Sequence, residues 1–144
     1  MFITVTGGKE SQRKHVKSMA EFCVKNLMPR MRTLEIEVKL CSPEKALGYC
    51  LELDTNREFE LEIDKTQSLR RMLETVAHEM VHVKQFARRE LHPSKDTWLG
   101  KAYDTKKVSY WDLPWEIEAH GRECGLFVRW CEENKLGKQK WTQM

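Results

Sequence analysis

The chain has 144 residues, 40% of them hydrophobic and 33% charged, with a formal net charge of +3, the make-up of an ordinary soluble globular domain rather than a disordered one. At this length a chain buries roughly 68–70% of the surface it exposes when unfolded, so residues 1–144 read as one domain whose core needs no disulfide staples. No window approaches the ~18 consecutive apolar residues of a membrane span, and the start Met1-Phe2-Ile3-Thr4-Val5-Thr6 lacks a secretory leader's basic cluster and apolar run, so the expected setting is cytoplasmic with no membrane partner.

Residues 2–6 alternate and are rich in β-branched side chains, the pattern of a short strand closed by Gly7-Gly8. From Lys9 to Met28 the apolar positions Val16, Met19, Ala20, Cys23, Val24 and Leu27 follow the i, i+3, i+4, i+7 stripe of an amphipathic helix, stopped by Pro29. Three alternating runs come next, at 34–40, 47–51 and 58–63, each with one polar face. They predict a small, mostly antiparallel sheet covered on one side. A second helix is expected over 68–91 and a third over 114–134, separated by a long segment carrying Trp98, Tyr103, Tyr110 and Trp111. The predicted class is α+β, with an N-terminal helix, a central helix and a C-terminal helix packed on the sheet. The five cysteines, Cys23, Cys41, Cys50, Cys124 and Cys131, contain no C-x-x-C pair, so they are expected to be reduced.

Charge is unevenly spread. Lys9, Arg13, Lys14, Lys17, Lys25, Arg30 and Arg32 make the first quarter basic, as Lys135, Lys138 and Lys140 do the tail, while Glu58, Glu60 and Glu62 lie in an acidic middle. Solvated helix and strand faces account for most of this pattern, leaving room only for weak binding of nucleic acid.

The chemistry sits in His78-Glu79-Met80-Val81-His82, an H-E-x-x-H motif inside the second helix. Two histidines four apart project from one helix face, so both imidazoles can reach one metal ion. Glu79, one residue past the first histidine, is placed to work on water beside the metal as a general base. A catalytic zinc site takes three protein ligands. His92 follows His82 by ten residues, about 15 Å along a continuing helix, which is too far. The segment Pro114-Trp115-Glu116-Ile117-Glu118-Ala119-His120-Gly121 is the better source. Pro114 suits the first helical position, Glu116 and Glu118 suit the first turn, and Glu116 and His120 share a face. Small Ala119 and Gly121 would let this helix approach the motif helix closely.

These residues resemble the gluzincins, zinc metallopeptidases whose metal is held by two histidines and a glutamate, and especially their compact single-domain members. The resemblance implies a zincin-like fold, a Zn²⁺ cofactor held by His78, His82 and Glu116, and hydrolysis of a peptide or protein substrate with Glu79 as general base. The aspartate that gluzincins carry four residues after the glutamate is His120 here. Oxyanion stabilisation then falls to Tyr103 or Tyr110, with His120 third, and the 58–63 strand is expected to border the cleft, its acidic side chains forming a solvated face or, as the alternative, favouring basic peptides. Two other classes are weighed against this reading. One is a zinc-stabilised module that binds nucleic acid or protein, or a Spartan-type protease on DNA, which would need His92. The other is a deformylase-like hydrolase using Cys41 or Cys50, neither of which has that family's surrounding residues.

Overall fold

Alternation of apolar and polar residues does build four strands, and the computed structural model, which describes residues 1–92 and 96–143, lays them in one sheet. They are β1 (Phe2–Gly7), β2 (Glu35–Cys41), β3 (Gly48–Glu52) and β4 (Glu58–Asp64), in the spatial order β1-β2-β4-β3. Core-facing side chains line up across the strands in rows, Ile3–Ile36–Phe59 and Val5–Val38–Leu61. Between these rows Glu35, Glu37, Glu58 and Glu60 point to the other, uncovered face. One covered face is therefore as expected.

Strand direction differs from the expectation. The sheet is mixed rather than mostly antiparallel: β1–β2 and β2–β4 are parallel, and only β3–β4 is antiparallel. Alternation reports which faces are covered and carries no information on direction. Direction comes from the connections. Helix α1 (Glu10–Leu27) is the crossover that a parallel β1–β2 pair requires. The short β3 is displaced to the edge, so β4 fits beside β2. As a result β4 has neighbours on both sides and cannot add a peptide, which corrects the expected cleft strand at 58–63; the edge strand on this side of the sheet is β3.

Helix α1 buries Val16, Met19, Ala20, Phe22, Cys23, Val24 and Leu27 against the sheet and the other helices. Helix α2 (Leu69–Ala87) is buried on nearly every side, with Met72, Leu73, Val76, Ala77, Met80, Val81 and Val83 fully inaccessible. At about 1.5–3 kcal/mol for each fully buried large apolar side chain, this set anchors the motif helix. Ser68 Oγ caps its start by accepting from the Arg71 N–H at 3.3 Å. At its other end, Asn56 Nδ2 and Arg57 Nη1 donate to the Ala87 carbonyl at 3.0 and 3.1 Å. The helix stops four residues sooner than expected, followed by Arg89 at φ +57°, a left-handed residue.

The long connection is not structureless. Strands β5 (Leu91–His92), β6 (Thr97–Trp98) and β7 (Lys101–Ala102) form a second, small antiparallel sheet. A 3₁₀ turn at Tyr110–Asp112 then leads into helix α3 (Pro114–Glu133), and a last 3₁₀ turn covers Lys140–Gln143. Leu91, Leu113 and Trp115 make a satellite apolar cluster under this segment.

Candidate metal centre

His78 and His82 lie one helical turn apart on α2, their ring centroids 5.0 Å apart. Helix α3 packs across α2 and brings the first turn of its own chain to them, with Ala119 fully buried in the core between the elements. Gly121 has no such role, since a Cβ there would meet nothing within 4 Å. Glu116 Oε1 stands 3.1 Å from His78 Nε2 and 3.2 Å from His82 Nε2. All three side chains are at most partly exposed, and the histidines are buried.

These separations are those of a metal cage. With metal–ligand bonds of about 2.0–2.1 Å, two ligands of a tetrahedral zinc lie about 3.3 Å apart, close to both observed distances. The donor set of two imidazoles and one carboxylate is also that of a hydrolytic zinc site. The residues present thus fit a divalent ion.

This is an HExxH-type metal site, and its third member makes it gluzincin-like. Comparison of the chain with protein-family models, curated proteins and solved structures found no match.

The surroundings of this gluzincin-like site fix its ligands. Gln85, fully buried, donates from Nε2 to the Trp115 carbonyl (3.0 Å) and to Glu118 Oε1 (2.9 Å). Both are pure acceptors, so the amide orientation is unambiguous and Gln85 Oε1 faces His82 Nδ1 at 2.7 Å. An amide oxygen can only accept. His82 Nδ1 must therefore carry hydrogen, which leaves Nε2 as the ligating atom.

Glu118, the alternative third ligand, is occupied elsewhere. Its carboxylate accepts from Lys84 Nζ, Gln85 Nε2 and Arg122 Nε. Burial pushes it up, but Lys84 foremost among these donors holds it below the usual carboxylate range. Glu116 behaves similarly: burial raises it, and the hydrogen bonds from His78 and His82 outweigh that and hold it far below its ordinary value. For His82 the balance of the same pair runs upward, burial being overcome by the Glu116 hydrogen bond. Glu79 is buried and its carboxyl is raised by that burial, an effect the neighbouring His82 and His78 only partly offset.

Tyr110, on the 3₁₀ turn, places its hydroxyl 3.0 Å from Glu116 Oε1 and 3.0 Å from His120 Nε2. Burial followed by the Glu116 charge pushes this phenol well above its usual range, so it stays a proton donor. Tyr103 is placed differently. Its ring meets Trp115 edge-on at 5.9 Å, within the satellite cluster, and Lys101 Nζ lies 5.2 Å from its centre. His92 sits in β5 paired with Thr97, and the helix never extends to it.

Besides Gln85, two further residues missed by the sequence reading complete the site. Glu123 Oε1 accepts from His120 Nδ1 at 2.9 Å, while its Oε2 lies 3.8 Å from His78 Nδ1. Glu123, seven residues after Glu116, thus stands beside His78 without a hydrogen bond to it, and His120 bridges Glu123 and Tyr110. Gly48 of β3 is the other. A Cβ there would come within 2.8 Å of Thr75 Cγ2 and 3.3 Å of Glu79 Cγ, so glycine lets the edge strand lie directly against Glu79.

Proposed function

We propose that the chain is a zinc-dependent peptidase that hydrolyses peptide bonds in an extended substrate laid along β3. The observation that carries this is the convergence of ligand atoms of His78, His82 and Glu116 within 4.8 Å of one another beside buried Glu79. A zinc ion held by these three supplies water with its pKa lowered towards ~7 and polarises the substrate carbonyl.

The chain's own groups do the rest. Glu79 removes the proton from water as its oxygen attacks the carbonyl carbon, then delivers that proton to the amine nitrogen as the C–N bond breaks. Its raised pKa strengthens it as a base. The Tyr110 hydroxyl, held between Glu116 and His120, donates to the developing oxyanion, with His120 setting its position. Substrate is aligned by backbone. Leu53 N–H donates to Glu58 O and Asp64 N–H to Leu47 O, so the odd-numbered residues of this hairpin bond to β4. The even ones, Gly48, Cys50 and Glu52, turn their N–H and C=O groups to the open edge, where a peptide can add as a further strand.

Nucleic acid is a weak partner at most in this reading, because the basic first helix is partly spent internally. Arg13 donates to the Gly7 and Gly8 carbonyls at 3.0 and 2.9 Å, and Lys25 pairs with Glu133 at 3.1 Å. The deciding experiment is Glu79→Gln, which changes no metal-binding atom. It should retain zinc while hydrolysis of a casein-type substrate falls by ~10²–10⁴. Equal hydrolysis by both proteins would overturn the proposal.

A further inference from the structure

Two cavities flank the triad, and both have Gly48, His78, Glu79 and Tyr110 in their walls. A peptide bond placed at Glu79 therefore sends the residues on its two sides into different cavities. They differ in the walls they do not share. One, of about 340 Å³, is walled by Cys50, Phe86, Leu91 and Trp115. The other, of about 400 Å³, is walled by Lys45, Leu47, Arg71, Thr75 and Glu123.

The cationic groups of the second cavity have donors to spare. The Arg71 guanidinium, 44% exposed, lies 3.8 Å from Glu74 Oε1 and 3.6 Å from Glu123 Oε2. Both separations exceed hydrogen-bond length, whereas a guanidinium offers five N–H donors in a fork that matches a carboxylate. Glu123 is itself engaged with His120. Lys45 is exposed at the mouth, on the loop that enters β3.

Strand direction orders the two cavities along a substrate. β3 runs from Gly48, at Glu79, towards Cys50 and Glu52, so the apolar cavity lies downstream along it and the cationic one upstream. A peptide paired antiparallel, the more stable ladder, runs the other way. Its residue before the scissile bond enters the apolar cavity, and the residue after it enters the cationic one. We propose, resting on the peptidase reading above, that this site selects an apolar residue followed by one bearing a carboxylate, which Arg71 and Lys45 hold. That carboxylate is either an acidic side chain or the free C-terminus of the peptide.

The test is fluorescence-anisotropy binding to zinc-loaded Glu79→Gln, which reads recognition without turnover. The probes are capped alanine peptides with phenylalanine before the central bond and glutamate or glutamine after it. A second pair ends one residue after that bond, as free acid or as amide. The glutamate peptide, the free acid, or both should bind roughly 10–100-fold more tightly than the neutral partner, as expected for a hydrogen-bonded charged group. Preference for internal glutamate identifies the side chain as the source, and preference for the free acid alone identifies the C-terminus. Arg71→Gln should remove most of this preference and Lys45→Gln, on the exposed loop, part of it. Equal binding within both pairs, or a preference unchanged in both variants, would overturn the proposal. Carboxylate-dependent binding with no hydrolysis by the wild type would instead count against the peptidase reading alone.

Discussion

Gln85 is the residue whose replacement tests the metal centre most sharply. In Gln85→Met the side chain keeps similar volume but loses three hydrogen bonds, to His82 Nδ1, the Trp115 carbonyl and Glu118 Oε1. His82 then loses the acceptor that fixes its ring and holds hydrogen on Nδ1, the arrangement that turns Nε2 towards the metal position. Removing such a supporting partner costs typically 10–100-fold in metal affinity, equivalent to about 1.4–2.7 kcal/mol. Stability falls separately. Glu118 keeps Lys84 and Arg122 and the Trp115 carbonyl keeps its place in the α3 ladder, so the His82 N–H is the group left wanting, at about 1–3 kcal/mol if no water reaches it. Zinc affinity is read by competition with a chromophoric chelator, and folding by denaturant titration of the metal-free protein, so the two losses are measured independently. A folded Gln85→Met protein that binds zinc within twofold of wild type would refute the claim that Gln85 sets the His82 tautomer.

Glu116→Ala should abolish stoichiometric zinc, whereas Glu118→Ala should retain it with affinity lowered through Gln85; metal analysis after gel filtration distinguishes them, and the reverse result would exchange their roles. Gly48→Ala should destabilise the fold by about 1–3 kcal/mol through overpacking and depress hydrolysis, because the new methyl meets Thr75 and Glu79; unchanged melting and activity would show that β3 does not press on the general base. The last concerns alkaline pH. Burial pushes the Cys23 thiol far above its ordinary 9.0, Arg129 offsetting little of that, so the folded state holds this proton more tightly than the unfolded chain. Its contribution to stability is present below pH 9.0 and is lost as pH rises beyond it. Denaturant titrations at about pH 8 and about pH 10 should therefore show a smaller alkaline loss in Cys23→Ala than in wild type, and equal losses would contradict the assignment.

Much of the site was legible because it is periodic. His78 and His82 share a helix face by spacing alone, and nothing in α2 interrupts that face. Glu116, His120 and Glu123 continue the same logic at i, i+4 and i+7 on α3, so Glu123 was within reach of the pattern that found Glu116. Gln85 had a weaker signal, a lone amide three residues past His82 in a helix otherwise buried by apolar side chains. Gly48 and Arg71 had none, since their importance comes from β3 lying over α2, and the order of strands was not written in the alternation. Tyr103 and Tyr110 were indistinguishable in the sequence for a related reason. What separates them is the 3₁₀ turn immediately before α3, which ties Tyr110 to the first turn of the helix that carries Glu116.

The division of labour between Glu116 and Glu118 shows how the fold decides among chemically identical groups. Two residues apart on a helix, they project about 200° apart and meet different neighbours. Glu118 finds buried Lys84, itself also paired with Glu90 at 2.9 Å, and becomes the link that holds Gln85. Among the described residues Glu116 finds only imidazoles and a phenol, all of which it can share with a cation. Around it stand Glu79 and Glu123, so the cluster gathers three carboxylates with no lysine of the described residues in direct contact, and Arg71 at its margin makes no short bond to it. Burying that much negative charge is unfavourable unless positive charge enters with it. A dication that binds only the folded arrangement would add about 2.7 kcal/mol of stability at a hundred times its dissociation constant. The same carboxylates that give the site its chemistry thus favour entry of a dication, and an ion that offsets them would sit where Glu79 can use it.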